Sequence, residues 1–130
     1  MGNIEYLTLD DLIEIGSALI QGFKVRDLGL LESAASRPQT TVYGEDAYIT
    51  FVEKAAALMH SLARNHCLVD GNKRLAWSAT RTFCILNGYD LKIDIDDAEK
   101  IVVGTAKGDF DVASLASKLS PGLIYTKKHK

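Results

Sequence analysis

Nothing in this sequence of 130 residues comes near the roughly 20 consecutive apolar residues that cross a bilayer, so no membrane-spanning helix is expected. The first residues, Met1-Gly2-Asn3-Ile4-Glu5, lack the basic opening and apolar stretch of a secretory signal, and the expected location is the cytoplasm. Cysteine is scarce too. Cys67 and Cys84 form no C-x-x-C pair and leave no second pair for a zinc site, so both are expected to be free thiols in a reducing compartment. An excess of positive charge is also missing: 15 Lys and Arg stand against 17 Asp and Glu, a formal net charge of −2. No basic field invites nucleic acid, and no direct nucleic-acid binding is expected. The one basic run, Lys127-Lys128-His129-Lys130, reads as a solvated tail. With two prolines and no repeat, low-complexity stretch or linker, one domain is expected over residues 1–120, followed by a frayed tail over 121–130.

What the chain does have is helical periodicity. Thr8 can cap a helix over residues 9–21, whose inward face would be Leu9, Leu12, Ile13, Gly16, Leu19 and Ile20. Asp27 can cap a shorter one over 28–36, stopped by Pro38. Residues 37–46 hold a proline, a glycine and β-branched residues and read as irregular or hairpin-like. A longer helix is expected over 46–64. After a loop, another runs over 72–87, apolar around most of its circumference and ended by Gly88. Residues 89–93 read as extended, Asp94 or Asp96 caps a helix to about residue 107, and Asp109 or Asp111 caps a last one to Leu119. The expected fold is all-α: a compact helical bundle around a central apolar helix, with at most a small β-hairpin.

The chemistry is concentrated in His66-Cys67-Leu68-Val69-Asp70-Gly71-Asn72-Lys73-Arg74, at the start of that apolar helix. Free N–H groups and the positive end of a helix dipole make a natural anion site there. Gly71 allows close backbone approach. Lys73 and Arg74 stand against the dipole, a misplacement that a bound phosphate would offset. Asp70 beside phosphate suits Mg²⁺, and a histidine can take a proton from an incoming hydroxyl. Each residue also has a plainer role. His66 could be an ordinary loop histidine, Asp70 a helix cap, Gly71-Asn72 a turn, and Lys73 and Arg74 surface charges. Their joint occurrence within nine residues favours phosphoryl or nucleotidyl transfer.

This loop resembles that of the Fic/Doc family, whose Fic branch carries H-P-F-x-(D/E)-G-N-G-(K/R) and whose Doc branch is closer to H-x-F-x-(D/N)-(A/G)-N-K-R. His66, Asp70, Gly71, Asn72, Lys73 and Arg74 occupy the matching places, with Leu68 for the usual Phe and Cys67 at a variable position. The stretch Val25-Arg26-Asp27-Leu28-Gly29-Leu30-Leu31-Glu32-Ser33-Ala34, then Arg37-Pro38-Gln39, is similar to the N-terminal signature of the death-on-curing branch. Leu86-Asn87-Gly88-Tyr89 fits as well, so the resemblance spans residues 5–120. It implies a Fic-type bundle and a toxin that transfers the γ-phosphate of ATP, with Mg²⁺, to a Ser or Thr hydroxyl of a translation protein, elongation factor Tu foremost. On it His66 is the general base and Asp70 the Mg²⁺ ligand. Gly71 and Asn72 belong to the anion hole, and Lys73 and Arg74 neutralise nucleotide phosphates. Adenylylating members have glycine at position 73; a lysine there accompanies the inverted nucleotide of the kinase branch.

Two further expectations rest on the same resemblance. Family members dock the target segment as an added strand along a flap, for which Thr40, Thr41, Val42 and Tyr43 are the candidates; an ordinary interhelical loop is the alternative. The inhibitory motif (S/T)-x-x-x-E-(G/N) is missing, since Ser17 to Gln21-Gly22 has Gln where Glu is required. Control by a separate, cognate antitoxin is therefore expected. AMP transfer on the same fold, or a non-catalytic antitoxin-binding role in which the loop only caps a helix, are the competing readings.

Overall fold

The computed structural model describes residues 3–126. Helix α1, Leu9–Leu19, starts where Thr8 accepts the Asp11 N–H at 3.1 Å and Asp11 accepts the Thr8 N–H at 2.9 Å. This reciprocal pair satisfies two donors that a helix start leaves without partners. The helix ends two residues before the expected Gln21. Leu19 turns outward, 41% exposed, so Leu12, Gly16 and Ile20 are the buried members of the expected face. Helix α2, Leu28–Ser36, is capped by Asp27 as expected, through the Leu30 N–H at 3.0 Å.

The hairpin-like segment is a true hairpin. Strands β1, Thr41–Val42, and β2, Glu45–Asp46, pair antiparallel, with Thr41 opposite Asp46 and Val42 opposite Glu45. Tyr43 and Gly44 both have positive φ, 53° and 80°, as the commonest two-residue hairpin turn requires. Asp46 therefore does not open the next helix, contrary to the sequence expectation. Helix α3, Phe51–Arg64, starts five residues later, where Thr50 and Glu53 form a second reciprocal cap. Glu53 accepts the N–H groups of Ile49 and Thr50, both at 3.0 Å, which keeps those residues outside the helix.

Helices α3 and α4, Asn72–Leu86, share the centre of the molecule. In α3 the residues from Lys54 to Met59 are all buried, and the alanines 55, 56, 57 and 63 let neighbouring helices approach closely. In α4 the inward face is Leu75, Ala76, Ala79, Thr80, Phe83 and Cys84, whereas Ile85 and Leu86 are about half exposed. The apolar circumference read from the sequence thus overstates the burial of α4, because its last turn points outward. Gly88, at φ 86°, ends it as expected.

Strand β3, Tyr89–Leu91, leads to α5, Ile95–Lys107, and α6, Val112–Leu119, the latter capped by Asp111. A 3₁₀ turn over Ser120–Gly122 then delivers strand β4, Leu123–Tyr125, antiparallel to β3. Residues 121–125 are thus not a frayed tail: Tyr125 lies opposite Tyr89 and Leu123 opposite Leu91. The basic run 127–130 lies outside the described residues. The architecture is mostly α, with two small antiparallel strand pairs. No described helix is long and apolar enough to cross a membrane.

Candidate active site

Between α3 and α4 the chain makes a tight loop whose residues divide by side. Cys67 and Leu68 face the core and are fully buried, while His66, Val69 and Asp70 face outward. Leucine in place of the family's phenylalanine therefore still anchors the loop. The backbone is fastened to residues 24–27. The Val69 N–H donates to the Lys24 carbonyl at 3.0 Å, and the N–H groups of Arg26 and Asp27 donate to the Cys67 carbonyl at 2.8 and 3.0 Å. The Asn72 side chain closes the loop from the other end. Its oxygen accepts the Leu68 N–H at 2.9 Å and its amide donates to the Leu68 carbonyl at 3.1 Å. One amide N–H and the oxygen of that side chain are engaged there, so what Asn72 can offer an anion is its backbone N–H and the second amide N–H. His66 has φ 51°, left-handed for a residue with a Cβ. Such a conformation costs roughly 1–2 kcal/mol and persists only where the surroundings impose it.

Gly71, at φ 88°, is the residue before α4, and no side chain caps that helix. Asp70, whose plainest role was as the cap, does not serve as one. A Cβ at position 71 would lie 2.6 Å from Ile20 Cδ1, so the glycine is needed for the fit of the loop over Ile20 as well as for its backbone. The first bond into the helix is from the Leu75 N–H to the Gly71 carbonyl at 2.9 Å. The N–H groups of Asn72, Lys73 and Arg74 precede it and have no acceptor among the described residues. Helices α1, α2, α3 and α6 carry a side-chain cap; α4 leaves its donors open, as does α5, where Asp94, one of the expected caps, makes no side-chain bond to the helix. Lys73 and Arg74 are exposed in this first turn with no carboxylate in ion-pair range among the described residues. Open donors, the dipole and two cations converge where an anion would be held.

His66, Asp70, Gly71, Asn72, Lys73 and Arg74 all line one cleft of about 1100 Å³. Sequence reasoning missed its other walls. Trp77, Ser78 and Arg81 continue the same face of α4, three to four residues apart, and extending the helical period from Lys73 and Arg74 would have found them. The opposite wall, with Ile95, Ala98, Glu99 and Val102 of α5, gives no local signal, since only tertiary packing brings it there. Thr40, Thr41, Val42 and Tyr43 do not line the cleft; they sit exposed on the hairpin. That hairpin is fixed to the body by the Asp46 carboxylate on buried Lys54 at 3.1 Å, with the Lys54 ammonium also donating to the Tyr48 carbonyl.

The two thiols stand apart from this chemistry. Burial pushes the Cys67 thiol up, and burial, helped by the charge of Asp90, pushes Cys84 up to about 12. Neither is a ready nucleophile. Among the described residues no three His, Cys, Asp or Glu side chains cluster as a metal cage. A lone exposed carboxylate at Asp70, beside open N–H donors, instead fits Mg²⁺, which takes one or two carboxylates and completes its shell with phosphate oxygens and water.

The model of the Fic/DOC family matches residues 6–84, which include the whole loop. A curated relative, Toxin Doc of Mycolicibacterium smegmatis (strain ATCC 700084 / mc(2)155), is 51% identical over 119 residues, covering 89% of this chain and 92% of the relative.

Proposed function

This chain belongs to the Fic/DOC family, among its Doc toxins, and from that premise we propose that it is a protein Ser/Thr kinase acting on a translation factor. The γ-phosphate of ATP is transferred to a target hydroxyl, and elongation factor Tu is the leading target. The observation that carries this reading is the uncapped start of α4, with His66, Asp70, Lys73 and Arg74 around the same cleft. A loop that merely capped a helix would use Asp70 as the cap, and it does not.

The His66 imidazole takes the proton of the target hydroxyl as its oxygen bonds to the γ-phosphorus. The bond to the β–γ bridging oxygen breaks and ADP leaves with that electron pair. The open N–H groups of α4, Lys73 and Arg74 hold the charge that collects on the phosphates. Asp70 is the residue that would hold Mg²⁺, which when bound supplies further neutralisation of phosphate charge. Lys73 fills the place where adenylylating relatives keep glycine, and this supports delivery of the γ- over the α-phosphate. In β1 the residue pairs alternate, and Ala47 donates to Thr40. The N–H and C=O of Thr41 therefore face the free edge, available to an added strand of the target. A separate antitoxin chain is the proposed means of restraint, since this chain lacks the family's inhibitory motif.

The test is label transfer to purified elongation factor Tu from ATP labelled at either the γ- or the α-phosphate, with Mg²⁺. Label should arrive from the γ-position alone, and His66→Ala should lower the rate by about 10²- to 10⁴-fold. Label from the α-position would make the enzyme an adenylyltransferase. No label from either would remove the kinase reading for this target.

A further inference from the structure

We infer that Arg26 is a positioning residue for His66, holding the loop in the one backbone conformation that keeps the imidazole in the cleft. The inference rests on His66 being the proton acceptor proposed above. Residues 25–27 belong to a stretch that the sequence singled out without giving it a task, and the structure supplies one. The Arg26 N–H donates to the Cys67 carbonyl at 2.8 Å, while its side-chain Nε donates to the His66 carbonyl at 3.0 Å. One residue thus grips two successive carbonyls, which fixes both peptide planes that follow the His66 Cα. His66 is the residue in this loop with a positive φ and a Cβ. It would leave that region unless its neighbours held it there.

The base of the grip is itself rigid. Asp27 also donates its N–H to Cys67, at 3.0 Å, and its carboxylate caps α2. The Arg26 guanidinium has no carboxylate in ion-pair range among the described residues, so its bond to His66 is not the by-product of an ion pair. The side chain is exposed, and an exposed hydrogen bond adds little to global stability. Both backbone bonds to Cys67 survive any substitution except proline. Removing the side chain therefore frees the His66–Cys67 peptide to rotate while the loop stays attached and the protein stays folded.

The experiment compares wild type, Arg26→Gln and Arg26→Lys as full chains. It measures kcat and KM for ATP in the label-transfer assay, the melting temperature, and the one-bond Cα–Hα coupling of His66, which distinguishes positive from negative φ. In Arg26→Gln the expected result is a kcat lower by about 10- to 100-fold, as for a misplaced catalytic group, with KM for ATP and melting temperature unchanged. The His66 coupling should move toward that of negative φ. Lysine keeps the charge but loses the flat Nε donor, so Arg26→Lys should behave like Arg26→Gln. A wild-type kcat in Arg26→Gln, or an unmoved coupling, would overturn the inference. So would a rise in KM alone, which makes Arg26 a substrate contact, or full activity in Arg26→Lys, which makes its charge the cause. If wild type transfers no label, the kinase reading has failed, and the coupling alone decides whether Arg26 sets the conformation of His66.

Discussion

Gly71 carries two demands at one position: a φ of 88° and a surface pressed against Ile20. Alanine there must adopt a left-handed backbone at roughly 1–2 kcal/mol and also displace the Ile20 side chain. Gly71→Ala is expected to lower the unfolding free energy by at least that amount, read as a lower midpoint of denaturant unfolding at unchanged slope, and a midpoint equal to wild type would show that the loop relaxes freely. At this scale much of the site was legible. His66, Asp70, Gly71, Asn72, Lys73 and Arg74 are nearly consecutive, so their residue types and spacing survive without knowledge of the fold. What escaped were the tasks that depend on partners distant in sequence. The Asn72 side chain bonds the Leu68 backbone, Gly71 and not Asp70 precedes the helix, and Arg26 reaches forty positions along the chain to His66.

Among the elements, the joint between the hairpin and α3 holds a histidine, His60, in contact with an arginine. The Arg37 guanidinium donates from Nε to the Tyr48 hydroxyl at 2.9 Å and from one terminal nitrogen to Ser61 Oγ at 3.0 Å. The same nitrogen lies 3.0 Å from His60 Nδ1, and since arginine only donates, that ring nitrogen must accept. Burial first, and then the charge of Arg37, hold His60 below its ordinary value of 6.5; Arg64 adds to this, while the Phe110 carbonyl and Asp111 oppose it. Because the unfolded chain binds this proton more readily than the folded one, stability is whole above about pH 6.5 and falls as the pH drops below it. The melting temperature should decline over that window in wild type and less in His60→Gln, which keeps an acceptor for Arg37 but does not titrate there; equal declines would remove His60 as the source. Element boundaries were partly readable. Thr8 and Asp27 announced their helices by residue type alone, whereas Asp109 and Asp111 were both candidates for the last one and Asp111 is its cap. For α3 the expected start at residue 46 was too early, and Thr50 followed three residues later by Glu53 was the overlooked cap signal. Strand β4 could not be read, because its partner β3 lies far back in the chain and Pro121-Gly122 resembles an ending.

Across the whole molecule, a run of aromatic rings ties distant parts of the chain. Tyr6 stacks on Phe83, Phe83 on Phe51 and Phe51 on Tyr89, with centroids 5.9, 4.9 and 4.5 Å apart, and Tyr125 meets Tyr89 edge-on at 5.3 Å. Phe83 is fully buried in the middle of this run. Phe83→Ala is expected to cost about 3–5 kcal/mol, a large part of the 5–15 kcal/mol typical of a folded domain. Urea unfolding measures this directly, and a loss under about 1 kcal/mol would mean that the rings close over the gap. The sequence showed each of these residues as apolar but not the run, which joins segments from five different parts of the chain. The far wall of the cleft was hidden for the same reason. Trp77, on the near wall, is the molecule's single tryptophan. Its indole is half-buried, so its light emission is sensitive to whatever fills the space beside it. The protein therefore carries its own optical gauge of occupancy, in which a change of fluorescence on adding a nucleotide can be assigned to the cleft without attaching a dye.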